Sequence, residues 1–257
     1  MKPFRSPEDE LRAWYRALLS AWGPQHWWPA RSRFEVIAGA YLTQNTSWKN
    51  VEQALNNLRR ERALNPAKIA EMSVARLEQL VKPAGYFRQK AARLKQFVQF
   101  LEARYAGSLS RMFATPTKTL RAELLALNGI GPETADAILL YAGGHPVFVV
   151  DAYTRRLLLR HRLIDFSAGY EEIRALAERS LAEANRCNAE AGASAMAHKP
   201  SRISRASRTF AATNYNEMHG LIVVAGKLHC HKRIPKCDGC PLRPFLPPSG
   251  PVLQVAL

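Results

Sequence analysis

Apolar residues in this chain return every three or four positions through most of its length, the period of a helix that buries one face. From Pro7 onward, Leu11, Trp14, Tyr15, Leu18, Leu19 and Trp22 trace one stripe that stops at Gly23-Pro24. Ser6 with Asp9 three residues on forms a capping box, and Pro7 suits the first helical position, so the spacing predicts a helix starting there with these aromatics in a core. The same period predicts helices over 34–42 on Val36, Ile37, Ala40 and Tyr41, and over 47–58 on Trp48, Val51, Ala54, Leu55 and Leu58. It recurs over 89–105 on Leu94, Phe97, Val98, Leu101 and Tyr105, while Asn65-Pro66 and Ser73 each open a further helical stretch. No strand-like alternation competes with these patterns. The fold class predicted is all-α, and 257 residues suffice for two helical lobes.

Residues 188–208, NAEAGASAMAHKPSRISRASR, break the pattern, being rich in Ala, Ser and Arg and nearly devoid of large apolar side chains. They read as a flexible insertion reaching to about residue 210. Arg202, Arg205 and Arg208 within it are either phosphate contacts or the charges of a solvated linker. Charge then narrows the class of partner. The chain carries 37 Lys+Arg against 21 Asp+Glu, a net charge of +16, which points to a polyanion. No apolar run reaches membrane-spanning length and MKPFRSPEDE lacks the apolar stretch of a signal peptide, so the expected location is the cytoplasm, with nucleic acid rather than a membrane as partner.

The most informative stretch is 127–151, LNGIGPETADAILLYAGGHPVFVVD. Gly129 and Gly131 flank Ile130, where glycine permits positive φ and close backbone approach, so that the turn can aim amide groups at a phosphate. Pro132 opens a helix that runs through Ala135, Ile138 and Leu139 and is predicted to stop at Gly143-Gly144. His145-Pro146 turns the chain. Val147 to Val150 is wholly apolar, hence buried, and delivers Asp151 to the start of another helix, where it serves at least as an N-cap.

This order of hairpin, Gly/Pro-rich loop and aspartate resembles the helix-hairpin-helix signature of the endonuclease III (HhH-GPD) superfamily of DNA glycosylases. The resemblance implies a two-lobed fold: a six-helix barrel over 31–142 that includes the hairpin, and a second lobe from 1–30 and 143–257 carrying Asp151 and a cysteine loop. It implies that Asp151 is catalytic, that Asn128, Gly129, Ile130, Gly131 and Thr134 meet the DNA backbone, and that the substrate is duplex DNA containing damaged bases, bound by a monomer at a bacterial-type nucleoid. Cleavage of an N-glycosidic bond builds positive charge on the sugar, and a fixed carboxylate beside it lowers the barrier.

Bifunctional members of the family carry a lysine one position before the helix Thr-Ala, whose amine forms a Schiff base with the sugar. Glu133 stands there in this chain, so the lyase step is expected to be lost or weak; an acidic residue is also favoured in a helix's first turn on electrostatic grounds alone. Glu133 with Asp151 is similar to the 3-methyladenine DNA glycosylase (MagIII-type) branch. FEVIAGAYLTQNTSWKNVEQAL from Phe34 and KPAGYFRQKAARL from Lys82 are similar to it as well, and the likeness covers most of 27–242 outside the insertion. The branch implies that Gln44 enters the duplex where a nucleotide is flipped out. It places Trp27, Trp28, Pro29 and Trp48 in the base pocket, with Lys227 nearby, where aromatic faces attract a cationic alkylpurine. The alternative for the tryptophans is the core that Trp14 and Trp22 are expected to occupy, and for Lys227 it is a phosphate or solvent contact.

After NYNEMHGLIVVAGK, Cys230, Cys237 and Cys240 follow C-x6-C-x2-C. These are the first three positions of the C-x6-C-x2-C-x5-C loop that holds a 4Fe-4S cluster in this family, and thiolates suit such a cluster. The fourth position is Leu246. Cys187, the remaining thiol, precedes the insertion. The loop is read as holding a 4Fe-4S cluster with another fourth ligand, or a Cys3His zinc with His229 or His231, or no metal. A structural disulfide is the weakest choice in a reducing cytoplasm. Two other functions stay open at this point: an endonuclease III-like bifunctional glycosylase/AP lyase acting on oxidised pyrimidines, and a non-catalytic helix-hairpin-helix DNA-binding protein.

Overall fold

A computed structural model describes residues 6–182, 184 and 198–253. The described elements are helical, and the chain divides into two compact units, Ala30–Gly143 on one hand and Met1–Pro29 with Gly144–Leu257 on the other. No helix among the described residues is long and apolar enough to cross a membrane.

The unit Ala30–Gly143 contains α2 (Arg33–Leu42), α3 (Trp48–Arg60), α4 (Pro66–Glu71), α5 (Val74–Val81), α6 (Phe87–Tyr105), α7 (Leu109–Phe113), α8 (Thr117–Leu125) and α9 (Pro132–Ala137). Polar caps set most of the starts. Ser32, Ser47, Asn65, Ser73 and Ser108 each accept a hydrogen bond from a backbone N–H in the first turn that would otherwise have no partner. Leu58, Leu77, Leu94, Phe97 and Leu101 are fully buried where α3, α5 and α6 pack, and each such leucine contributes about 2 kcal/mol of burial. Two buried ionic groups are satisfied within this unit. Lys90 Nζ donates to the carbonyls of Leu42 (2.9 Å) and Ala84 (2.7 Å), tying the end of α2 to the turn before α6. Arg121 grips the buried Asp136 with two bonds, 2.6 and 3.1 Å, joining α8 to α9. The helix predicted to run unbroken from Pro132 to Gly143 does not stay α: after Ala137 it widens into a π turn over Ile138–Gly143. Every residue of Ile138–Ala142 is buried there, so packing rather than helix propensity decides the winding.

The other unit contains α1 (Pro7–Trp22), α10 (Ala152–Arg160), α11 (Tyr170–Leu181) and α12 (Phe210–Leu228). Ser6 caps α1 as the sequence predicts, its hydroxyl oxygen accepting from the Asp9 N–H, and Trp14, Tyr15 and Leu18 are buried on the face toward α11 and α12. Trp22 is not core. It lies half-buried and stacks on His229 at 6.0 Å, because the stripe has rotated to the surface by the last turn. Asn214 ties three elements of the core together, accepting from Tyr15 (3.3 Å) and donating to the carbonyls of Leu181 (2.9 Å) and Ala184 (3.0 Å). His161 packs edge-on against Trp14, and burial pushes its pKa down to about 4, so it sits in the core as a neutral ring.

The expected insertion is corrected in its described half. Residues 198–208 form a turn in which Ser201 and Ser204 bond each other reciprocally and Ile203 is buried. Arg208 donates to the carbonyls of Ile203 (3.0 Å) and Ser204 (3.3 Å), which closes its own turn rather than presenting a free guanidinium. α12 begins at Phe210, capped by Thr209. The remainder of the insertion, 188–197, and Cys187 lie outside the described residues.

Candidate functional site

The hairpin is built in the unit Ala30–Gly143. α8 ends at Leu125 with Ala126 as its C-cap, the chain turns through Leu127–Gly131, and α9 begins at Pro132. Gly129 requires glycine twice over: its φ is +81°, and a Cβ there would lie 2.0 Å from Arg93 Nε. Gly131 does not share that requirement. Its φ is −93° and a Cβ would meet nothing within 4 Å, so what a side chain there would cost is surface, the close approach of another molecule to the backbone. Asn128, Gly131 and Glu133 are exposed, whereas Ile130 and Thr134 are buried. Glu133 sits in the first turn of α9, where a carboxylate is electrostatically favoured.

Gln44, two residues past α2, is bound to this hairpin. Its Nε2 donates to the Gly129 carbonyl (2.9 Å) and to Thr134 Oγ1 (3.0 Å), and its Oε1 accepts from Arg93 Nη1 (2.8 Å). Arg93 was not legible as a site residue: it lies mid-helix in α6 and only the fold carries it to Gly129. Gly129→Ala is therefore expected to cost about 1–2 kcal/mol of stability from the left-handed backbone. Displacing Arg93 should also weaken its charge-assisted bond to Gln44 and add to that loss. Gly131→Ala should keep full stability and lose only affinity. Urea denaturation and fluorescence anisotropy on a duplex separate the two variants.

In the other unit, Val147, Phe148, Val149 and Val150 are all buried and feed Asp151 to the N-cap of α10. Asp151 Oδ1 accepts from the Thr154 N–H (2.7 Å) and from Thr154 Oγ1 (2.9 Å), and Oδ2 lies 3.5 Å from His219 Nε2 on α12. The aspartate side chain is 13% exposed and the histidine 6%. Burial pushes the carboxyl pKa up, but attraction to His219 and hydrogen bonding with it, together with the two Thr154 donors, outweigh burial and hold it below the ordinary aspartate range. The group is thus a shielded anion at a helix N-terminus. His219 went unnoticed in the sequence because nothing local distinguishes it within NYNEMHGLIVV.

Of the expected pocket residues, Trp27 and Trp28 are both buried and contact each other at 5.5 Å. Lys227 Nζ lies 5.6 Å above the Trp27 ring, and His198 approaches the same ring at 5.1 Å. These residues, with Gln25, Val223 and Val224, line a small cavity in this unit. Pro29 is half-buried beside them in sequence, and Trp48 is half-buried at the start of α3 in the other unit.

The cysteine loop is held from α10. Cys230 is buried, its carbonyl accepts from Arg156 Nε (2.8 Å), and its Sγ accepts from Arg160 Nη1 (3.0 Å). The same Arg160 guanidinium, nearly inaccessible to solvent, also donates to the carbonyls of His231 (2.7 Å) and Lys232 (3.1 Å). Cys237 and Cys240 are half-buried, and burial followed by the other thiols raises both of their pKa values. Three thiols with Leu246 at the fourth position do not make a four-thiolate set, and among the described residues no three of His, Cys, Asp and Glu converge as ligands. His229, a ligand in the zinc reading, pairs its Nδ1 with the Lys236 carbonyl at 3.0 Å and stacks on Trp22. Among the described residues there is thus no converged ligand set for a 4Fe-4S cluster or a Cys3His zinc, and no step of the chemistry below passes through a metal.

Residues 38–183 match the family described as HhH-GPD superfamily base excision DNA repair protein. A candidate DNA repair glycosylase of Methanocaldococcus jannaschii is 42% identical over 233 residues, covering 90% of this chain and 93% of its own. Among solved structures, the H. pylori 3-methyladenine DNA glycosylase (MagIII) bound to 1,N6-ethenoadenine superposes with a TM-score of 0.67 at 31% identity, over 86% of this chain and 97% of that one. A non-covalent endonuclease III–DNA complex shares the fold, with a TM-score of 0.67 at 19% identity, over 93% of this chain and 94% of that one. With the hairpin and the capped, anionic Asp151 in place, these matches establish that the chain belongs to the HhH-GPD superfamily of DNA repair glycosylases, the endonuclease III superfamily, on its MagIII-like branch.

Proposed function

We propose that the protein is a monofunctional glycosylase that removes alkylated purines of the 3-methyladenine kind from duplex DNA. The observation that carries the mechanism is Asp151, a carboxylate held ionised by Thr154 and His219. As the N-glycosidic bond breaks, its electron pair leaves with the base and positive charge gathers on the sugar, where the Asp151 anion stabilises it. Water then forms the new bond at C1′, and its proton passes to Asp151 or to solvent. An alkylated purine is already cationic, so it leaves without a strong general acid. That agrees with a pocket of tryptophans, whose ring faces attract cations.

The nucleotide must be everted before this chemistry, because the bond is inaccessible inside the stack. Gln44 is the side chain proposed to fill the vacated space, while Asn128, Gly129, Ile130, Gly131 and Thr134 grip the backbone. The +16 net charge supplies the non-specific, salt-dependent part of the affinity. Trp28 and Pro29 complete the proposed pocket. The protein is proposed to act as a monomer on DNA in the cytoplasm. The likeness to the H. pylori enzyme supports the substrate class, and Glu133 in place of the Schiff-base lysine supports the lack of a lyase step.

A panel of lesion-bearing duplexes, scored for free base before and after alkali, tests both points together. Methylated purines should be released, and strands should break only after alkali. Borohydride should trap no covalent protein–DNA adduct; a trapped adduct, with release from oxidised pyrimidines, would establish the bifunctional endonuclease III-like activity instead.

A further inference from the structure

We infer that His219 is a positioning residue for base release, fixing the Asp151 carboxylate from the side opposite its helix cap. The inference rests on the reading of Asp151 as the carboxylate of the reaction. Capping α10 needs only one carboxylate oxygen, and Oδ1 fills that role with the N–H and hydroxyl of Thr154. Oδ2 is surplus to folding, and it is the oxygen that faces His219 Nε2 at 3.5 Å. At that separation the ring steers the carboxylate without saturating Oδ2, which keeps capacity to accept from a water or to face a sugar cation. Burying an imidazole next to a buried carboxylate costs desolvation that a leucine in α12 would avoid, and such pairs gather where chemistry requires them.

The packing is arranged to bring the two groups together. Gly226 lies seven residues after His219, on the same face of α12, and a Cβ there would come within 2.1 Å of the Tyr153 ring on α10. The missing side chain lets the two helices close on each other beside Asp151. Phe148, from the buried run before Asp151, meets the His219 ring edge-on at 6.3 Å and limits its rotation.

Other charged groups around the pair are engaged elsewhere. Tyr153 has its hydroxyl pKa raised by burial and then by the Asp151 charge, and Arg156 lies over its ring at 4.9 Å. Glu178 of α11 accepts from the Phe148 N–H and pairs with Arg174, and Glu217 of α12 accepts from the Gln25 N–H. Lys227, two turns beyond His219, lies over Trp27. The carboxyl's low pKa, whose causes include His219 after burial, is consistent with the geometry.

The test compares wild type with His219→Leu and His219→Gln by two readouts, carbon-13 NMR titration of the Asp151 carboxyl and the pH dependence of single-turnover base release from a dimethyl sulfate-treated duplex. In His219→Leu the carboxyl should titrate about one pH unit higher or more, and the acid limb of release should move up with it. His219→Gln restores a hydrogen-bond donor and should fall between the two. A carboxyl titration unchanged in His219→Leu would overturn the proposal, and so would a uniformly lowered rate with no displacement of the limb. Asp151→Asn run alongside keeps the two readings apart: full release by that variant overturns the role of Asp151, whereas the carboxyl titration still decides whether His219 governs it.

Discussion

Asp151→Asn is expected to reduce base release at least about a hundredfold, the scale seen when one preorganised electrostatic group is removed from a transition state. The substitution keeps the helix cap. Asparagine is as good an N-cap as aspartate, and its amide oxygen can still accept from the Thr154 N–H. What disappears is the charge. Affinity for a lesion-free duplex should stay level or rise slightly, because one anion fewer faces the phosphates. A non-catalytic DNA-binding protein would show no release in either form, and a variant that keeps release within a few-fold of wild type would remove Asp151 from the mechanism.

Stability gives a second signature of the same charge. The folded-state pKa lies below the ordinary aspartate range, so the unfolded chain takes up its proton first as the solution is acidified. The ionised carboxylate accordingly contributes stability above the unfolded-state pKa and loses that contribution as pH falls through the folded one. The deficit of Asp151→Asn in thermal unfolding should be present at neutral pH and should close in acid.

Arg160→Leu should be the most damaging substitution away from that carboxylate, with a loss of about 3 kcal/mol. The arginine is a buried cation whose donors reach one sulfur and two carbonyls of the cysteine loop. Leucine fills similar apolar volume but leaves those acceptors without their donor. Arg160→Lys should recover little, since a single ammonium cannot reproduce a planar fork that bonds from two nitrogens. Urea denaturation measures the loss, and for a chain of this size it corresponds to a fall in Tm of roughly 6–12 °C. A loss below about 1 kcal/mol would mean that the loop is anchored mainly by something else.

Local signals were legible and long-range ones were not. The Ser6 capping box, the helix after Pro132 and the cap at Asp151 are decided by residues within four positions of one another, and all three are where the sequence places them. The buried run Val147–Val150 could be read because it has no polar position to spare. By contrast, the partners that give the site its character, His219 for Asp151, Arg93 for Gln44 and Arg160 for Cys230, are brought together only by helix packing. Arginine in an amphipathic helix ordinarily reads as a solvated face, which is why Arg156 and Arg160 pass unnoticed in AYTRRLLLR. The π turn at Ile138–Gly143 escapes for a related reason, since a wholly apolar stretch carries no mark of how tightly it is wound. Composition misled in one place. The Ser- and Arg-rich segment looks unstructured, yet Ile203 and two serines are enough to seat its second half.

Helix α10 spans nine residues, about 13 Å, with Asp151 at one end and Arg160, which pins the thiol loop, at the other. A rod of that length passes on tilt. A substitution that frees the Arg160 guanidinium from Cys230 is therefore expected to disturb the carboxylate cap at the opposite tip of the same helix.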